Sequence, residues 1–243
     1  MHYILQAKDL ETGEVITPHE MMVECGVLFG AGVDTAATCI GACLFYLTRY
    51  PAALEKLNKE IRTTFSDVEE IIQGRKLQSL PYLRACIDES LRLAPPVPGP
   101  LLREVLPGGL IVGGKWLPAG IEVGVPCYAI HHNSSYFPEP FTFKPERWLN
   151  GSTEANRDAF IPFSAGLRVC IGRNLAYLDM TLALARLLFL FDIRDAPNDD
   201  AKHAPGVKSR LTERRKANET EYHLEDWFVT AREGPFLQLK ARS

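Results

Sequence analysis

The chain has 243 residues, 46% of them hydrophobic, which fits one to two domains with a sizeable core and excludes disorder over most of its length. Lys and Arg number 27 against 30 Asp and Glu, a net charge of -3 without long runs, so there is no electrostatic footprint for nucleic acid. Six cysteines, Cys25, Cys39, Cys43, Cys86, Cys127 and Cys170, are scattered through apolar stretches rather than spaced as a disulfide or zinc framework. That usage predicts reducing surroundings and mostly buried thiols.

The opening MHYILQAKDL lacks a basic start followed by an apolar core, so it does not read as a secretion signal. Thr17-Pro18-His19-Glu20 reads as a helix start, with Thr17 as N-cap, Pro18 at the first helical position and Glu20 closing a capping box. The helix can run until Pro51, about 30 residues and about 45 Å. Its segment Val23 to Leu47 is long enough to span a bilayer, yet Glu24 and Asp34 would be costly in lipid, so a helix buried in protein is expected. Gly26, Gly30, Gly32 and Gly41 each cost about 1 kcal/mol against alanine in a helix interior, which predicts close approach of another group there.

PAALEKLNKEIRTTF and LPYLRACIDESLRL follow as two amphipathic helices, the second ending before Pro95. APPVPGP forces extended backbone, and LIVGGKWLPAGIEVGVP predicts paired short strands around Gly113-Gly114 and Pro118-Ala119-Gly120. Proline and aromatic density from Tyr136 to Trp148 predicts an ordered loop layer. A glycine-bearing loop, Phe163 to Gly172, opens a leucine-rich helix from Asn174 to Leu190. The charged stretch from Asp195 to Glu221 reads as an exposed insertion, and a terminal strand pair is expected near Trp227 to Leu239.

The most informative segment is Phe163-Ser164-Ala165-Gly166-Leu167-Arg168-Val169-Cys170-Ile171-Gly172. A cysteine on a turn just before a helix has its anion favoured by the helix N-terminus, and a thiolate there is a soft, electron-rich metal ligand. Arg168 offers a permanent positive charge for a carboxylate, while Gly166 and Gly172 allow tight turns and close approach of a flat group. A buried core cysteine beside a surface arginine is the plainer alternative for any single cysteine. Phe, Gly, Arg, Cys and Gly together at these offsets favour the ligand.

FSAGLRVCIG resembles the haem-binding loop of the cytochrome P450 monooxygenases, matching it at Phe163, Gly166, Arg168, Cys170 and Gly172. The resemblance implies a mainly α haem-thiolate fold with a small β region. Haem b (iron protoporphyrin IX) would be held by Cys170 as axial thiolate, which pushes electron density onto the iron. Arg168 would pair with a haem propionate. Arg103 stands where the family supplies another basic group to the propionates, although nothing local fixes its direction.

Ala31-Gly32-Val33-Asp34-Thr35 looks like the family's oxygen-activating turn, in which the Thr35 hydroxyl and the Asp34 carboxylate hold water and relay protons. By themselves the residues better suit a threonine bonded back to its own helix beside a partly solvated aspartate. Glu89 and Arg92 lie three apart on one helix face, which alone is a plain surface pair. The resemblance adds Arg147, from Pro145-Glu146-Arg147-Trp148, as a third member locking the haem-side core. Trp148 replaces the phenylalanine often found there, and either ring can cap an apolar layer. His131 and His132 form no metal site as adjacent loop residues, though His131 lies where the family can place a polar group near haem.

The matches run from Thr17 to Leu239, and all belong to the C-terminal half of the family's fold. Residues 1–243 are therefore expected to be the haem-binding C-terminal portion of one domain. The N-terminal half with its membrane anchor would be absent, and the flanks of the long helix uncovered. By resemblance the reaction is monooxygenation of a small apolar or aromatic organic substrate, with dioxygen and electrons from an NADPH-dependent reductase. A complementary N-terminal half is a further implied partner. Location at the cytosolic face of the endoplasmic reticulum membrane follows by family analogy, with no transmembrane segment in this chain. The bend Ala94 to Leu102, the helix face near Val27 and Ala31, and the loop Trp227 to Thr230 would line the substrate side. PERW and the tail GPFLQLKAR look similar to fungal members acting in secondary metabolism. Two alternatives stand beside this reading. One is a truncated, non-catalytic remnant unable to enclose haem alone; the other is a haem-thiolate isomerase or peroxygenase, whose relatives often alter the Asp-Thr pair.

Overall fold

In the computed structural model, which describes residues 8, 11, 13–149, 153–196, 220–232 and 234–242, the long helix α1 spans Pro18–Arg49. Its start is the expected capping box. The Glu20 N–H donates to Thr17 Oγ1 at 3.2 Å and the Thr17 N–H to Glu20 Oε2 at 2.8 Å, an arrangement worth about 1 kcal/mol. Its end is set by Pro51, whose ring disfavours helical backbone in Tyr50 (φ -119°). Helices α2 (Pro51–Thr64), α3 (Arg75–Gln78), α4 (Pro81–Leu93), α5 (Cys127–His131), α6 (Glu154–Ala159) and α7 (Arg173–Leu190) follow.

The strands are short: β1 (Arg103–Glu104), β2 (Leu110–Val112), β3 (Lys115–Leu117), β4 (Glu122–Val123), β5 (Phe191–Asp195), β6 (Leu224–Glu225), β7 (Ala231–Arg232) and β8 (Leu237–Ala241). Gly113 (φ 55°) and Gly114 (φ 77°) form the two-residue turn between β2 and β3, both in the left-handed region that such hairpins require. β4 returns to pair with β1. The architecture is thus mainly α with a small β region, as expected.

Helix α4 is the centre of the core. From Tyr82 to Leu93 every residue but Arg84 is buried, and α4 packs against α1, α2 and α7. Cys39, Ala42 and Cys43 of α1 join Cys86 and Ile87 of α4 and Leu184, Ala185 and Leu188 of α7 in one apolar cluster. Small residues on α1 keep that crossing close. Tyr46 stacks on Phe143 at 5.2 Å, fastening the loop layer before Trp148 to the helices. The end of α7 is capped from α2. Arg62 donates to the Leu188 carbonyl at 2.8 and 3.0 Å and to the Phe191 carbonyl at 3.0 Å, satisfying acceptors that a helix terminus leaves open.

Three expectations need correction. Helix α1 is buried only from Thr38 to Leu47, while Met22, Val23, Val27, Phe29 and Val33 of its first half are exposed. The physical reason is that α4, α7 and β5 cover its second half, leaving the flank that the sequence expected to be bare. By length and composition α1 could also cross a membrane, as its sequence allows; its buried second half gives it the role of a core helix here. Of its glycines only Gly41 meets a close neighbour, since a Cβ there would lie 2.7 Å from Tyr222 Oη, whereas Gly26, Gly30 and Gly32 face nothing within 4 Å. The terminal strands do not form one pair: β6 pairs with β7, and β8 lies along β5, Ile193 opposite Leu239. β5 runs straight on from α7 and offers β8 an edge whose Ile193 is buried. Nearly all of the charged stretch Asp195 to Glu221 lies outside the described residues. Four thiols are buried, as expected, but Cys25 and Cys170 are exposed.

Candidate functional site

The loop Phe163 to Gly172 is closed by its own backbone. The Cys170 N–H donates to the Phe163 carbonyl at 2.9 Å, and the Val169 N–H to the Gly166 carbonyl at 3.2 Å around a 3-10 turn, Gly166–Arg168. Gly166 takes φ 66°, which favours glycine, and Ser164 shares that region at φ 63°. Helix α7 starts at once from Gly172, so Cys170 stands exposed on the turn leading into an 18-residue helix. Leu167 and Ile171, its apolar neighbours, are almost wholly exposed too.

A cavity of about 740 Å³ separates this loop from the strands β1 and β4, and Arg103, Arg168, Leu101, Leu167, Val123 and Cys127 are among the residues lining it. Both sequence-predicted arginines therefore reach one space. Arg103 Nη1 donates to the Leu102 carbonyl at 2.7 Å, which fixes the direction that the sequence left open. Burial pushes the Cys127 thiol up to about 12, so this second sulfur stays protonated at neutral pH. Cys170 belongs to no group of three His, Cys, Asp or Glu side chains among the described residues. A metal ion bound to it would have to bring its other ligands along. Cys170 itself is not among the residues lining the cavity, but a loop that leaves its sulfur bare while Arg168, two residues before it, and Arg103 line an apolar cavity fits a macrocycle carrying its own nitrogen ligands and two carboxylates.

Behind the loop lies a buried ionic core. Glu89 and Arg92 are fully buried and joined by two hydrogen bonds, Nε to Oε2 at 3.0 Å and Nη2 to Oε1 at 2.9 Å. Arg147 Nε and the Lys144 N–H each donate to Glu89 Oε1 at 3.0 Å. The remaining Arg92 hydrogens go to the carbonyls of His131, Pro140 and Thr142. A charge pair taken out of water is tolerable only when its remaining donors and acceptors are filled in this way. Trp148 adds what the sequence reading missed: its Nε1–H donates to Glu89 Oε2 at 2.9 Å, a bond that phenylalanine cannot make. The signal was the indole nitrogen itself, adjacent to Arg147.

His131 does not line the cavity. It is buried behind it, its Nε2 accepting the Ile161 N–H at 3.0 Å, and burial together with the nearby Arg92 charge lowers its pKa to about 3. It therefore holds the approach to the loop and does not face the cavity. Thr35 Oγ1 donates to the Ala31 carbonyl at 2.7 Å, and with Asp34 it sits on the exposed half of α1, apart from the residues lining the cavity. Two substrate-side segments do meet: Thr230 donates through its N–H and its hydroxyl to the Pro96 carbonyl, each at 2.9 Å. Phe163 packs its ring against Tyr177 of α7, centroids 5.1 Å apart.

A model of the cytochrome P450 family matches residues 1–217. The chain belongs to the cytochrome P450 family. It is 42% identical over 240 residues to a cytochrome P450 monooxygenase of Gibberella zeae, a match covering 99% of this chain and 55% of that one. Cytochrome P450 monooxygenase apf8 of Gibberella fujikuroi is 40% identical over 248 residues, covering 99% and 65%, and AKT7 of Alternaria alternata is 39% identical over 246 residues, covering 98% and 47%. The chain spans about half the length of the curated relatives it matches. Membership in this cytochrome P450 family implies a haem cofactor.

Proposed function

We propose that residues 1–243 are the haem-binding C-terminal portion of a cytochrome P450 monooxygenase. The observation that carries this reading is the self-closed loop that leaves Cys170 exposed ahead of α7 while Arg168 and Arg103 share one cavity. Cys170 would hold the iron of haem b, and Arg168 and Arg103 its propionates. Phe163 and Gly166 shape the loop, and Glu89, Arg92 and Arg147 hold its backing rigid. When bound, the haem supplies activation of dioxygen at its iron, so that one oxygen atom enters an organic substrate and the other leaves as water.

Asp34 and Thr35 would deliver the protons. The Thr35 hydrogen rests on the Ala31 carbonyl, so its oxygen is free to accept a hydrogen bond from water, and it passes a proton on only by turning away from that carbonyl. The docked Pro96 and Thr230 segments, expected on the substrate side, support a small apolar or aromatic substrate. Two electrons would come from an NADPH-dependent reductase at the cytosolic face of the endoplasmic reticulum. The relatives' names support a fungal monooxygenase, and we place it in secondary metabolism.

The bare apolar half of α1 favours a second reading, a remnant that binds no haem without a complementary N-terminal half. One measurement separates the two: haem is added to the purified chain, reduced, and exposed to carbon monoxide. The long-wavelength Soret band for which the family is named is expected from the chain and not from Cys170→Ala, since alanine offers no donor atom. Absence of haem uptake by the unaltered chain selects the remnant. The same band persisting in Cys170→Ala removes that cysteine from the assignment.

A further inference from the structure

Outside the Glu89 core, a second polar cluster ties α4 to α7 and touches the cysteine loop. Tyr177 Oη donates to Asp88 Oδ1 at 2.7 Å, and Arg84 Nε donates to Asp88 Oδ2 at 2.9 Å. The Arg84 guanidinium lies over the Tyr177 ring, 3.6 Å from its centroid. Asp88 is almost fully buried, and burial raises its pKa against the opposing pull of Arg84, Tyr177 and the charge of Arg173. The Tyr177 ring meets Phe163, whose carbonyl accepts the Cys170 N–H.

We propose that Tyr177, pinned by Asp88 and Arg84, is a positioning residue whose ring seats Phe163 and thereby fixes the place of Cys170. The pin matters because the ring borders a groove of about 660 Å³, lined also by Gln73, Leu77, Asn174 and Leu178. Without its hydroxyl partner the ring has room to turn into that groove, and Phe163 then loses its support. A tyrosine held only by packing would not need a buried carboxylate; one that must hold a single angle does. Two bonds close the path from α4 to the sulfur: the Oη hydrogen bond at one end and the Phe163 carbonyl at the other.

The test uses the full chain in four forms: unaltered, Tyr177→Phe, Asp88→Ala and Asp88→Asn. Hydrogen exchange is read first, without haem. Loss of a hydrogen bond to a charged acceptor should speed exchange of the Cys170 amide about tenfold in Tyr177→Phe and Asp88→Ala. Asp88→Asn keeps an acceptor for Oη and should restore near-normal exchange. The Lys144 amide, bonded to Glu89, should not change in any form. Unchanged Cys170 exchange in both damaging variants overturns the proposal, and so does equal acceleration at Lys144, which would mean general loosening. The second reading is spectral and rests on Cys170 as iron ligand. In haem-loaded protein, Tyr177→Phe and Asp88→Ala should lose part of the long-wavelength Soret band to the form without thiolate, with Asp88→Asn intermediate or normal. Identical spectra in all forms oppose the proposal. If the unaltered chain takes up no haem, the functional reading fails while the exchange measurement still decides the role of Tyr177.

Discussion

Around Glu89 a carboxylate and two guanidinium groups are withdrawn almost completely from water, whereas on the first half of α1 Val27, Leu28, Phe29 and Val33 stand exposed to it. Residue type predicts the reverse in both places. The difference lies in what each segment has to touch. Every oxygen and most hydrogens of the Glu89 core find partners on α4, on the turn before α5 ends, and in the loop layer from Pro138 to Trp148. The first half of α1 has no facing element among the described residues, so its apolar pattern is expressed as surface. Burial is decided by complementary neighbours, and polarity sets only the cost of being wrong.

Breaking the buried side of this comparison should have the largest effect. Glu89→Ala strands Arg92 without its counter-charge and is expected to cost about 3 to 5 kcal/mol of unfolding free energy, read by urea denaturation. A loss no greater than that of the exposed pair Lys144 with Glu139 would show that the core is held by packing alone. Next comes acid sensitivity. His131 is held neutral, its pKa lowered from 6.5 to about 3, so the unfolded chain binds a proton where the folded chain does not. Stability from this site is full above 6.5 and is lost as pH falls from there toward about 3. His131→Gln should flatten that part of the stability profile, and an unaltered slope would count against a neutral buried ring.

Trp148→Phe separates ring from hydrogen bond. The ring still packs on Phe160, 4.5 Å away, but Glu89 Oε2 loses a donor, for an expected loss of about 1 to 3 kcal/mol. If phenylalanine is neutral, the indole N–H adds nothing. The smallest effect is predicted for the exposed side: Phe29→Ser should change stability by less than about 0.5 kcal/mol, because its side chain is 74% exposed. A large loss on denaturation would reveal a cover for α1 that these contacts do not contain.

Local rules in the sequence carried much of the fold. The Thr17 cap, the stop before Pro51, the hairpin at Gly113-Gly114 and the helix after Gly172 each depend on neighbouring residues, and each stands where it was expected. What escaped was set by distant partners. Gly41 is small because Tyr222 approaches it, β8 pairs with β5 across the chain, and His131 accepts from the Ile161 N–H. In the site, the meeting of Glu89, Arg92 and Arg147 was legible through the family resemblance of the segments that carry them. Asp88 was not, since an aspartate beside a glutamate on a helix looks like a second surface charge until Tyr177 is seen to meet it.

The Tyr222 contact sets the order in which the molecule can be completed. Its N–H reaches Tyr46 Oη at 3.3 Å across 176 residues of chain, and its hydroxyl closes the notch at Gly41. During synthesis α1 leaves the ribosome well before Tyr222, so the apolar face around Gly41 waits for a neighbour 176 residues downstream of Tyr46. Closures between such distant segments are slow, and sticky intermediates are exposed meanwhile. The nascent chain is therefore expected to lean on chaperones until the Tyr222 segment has docked.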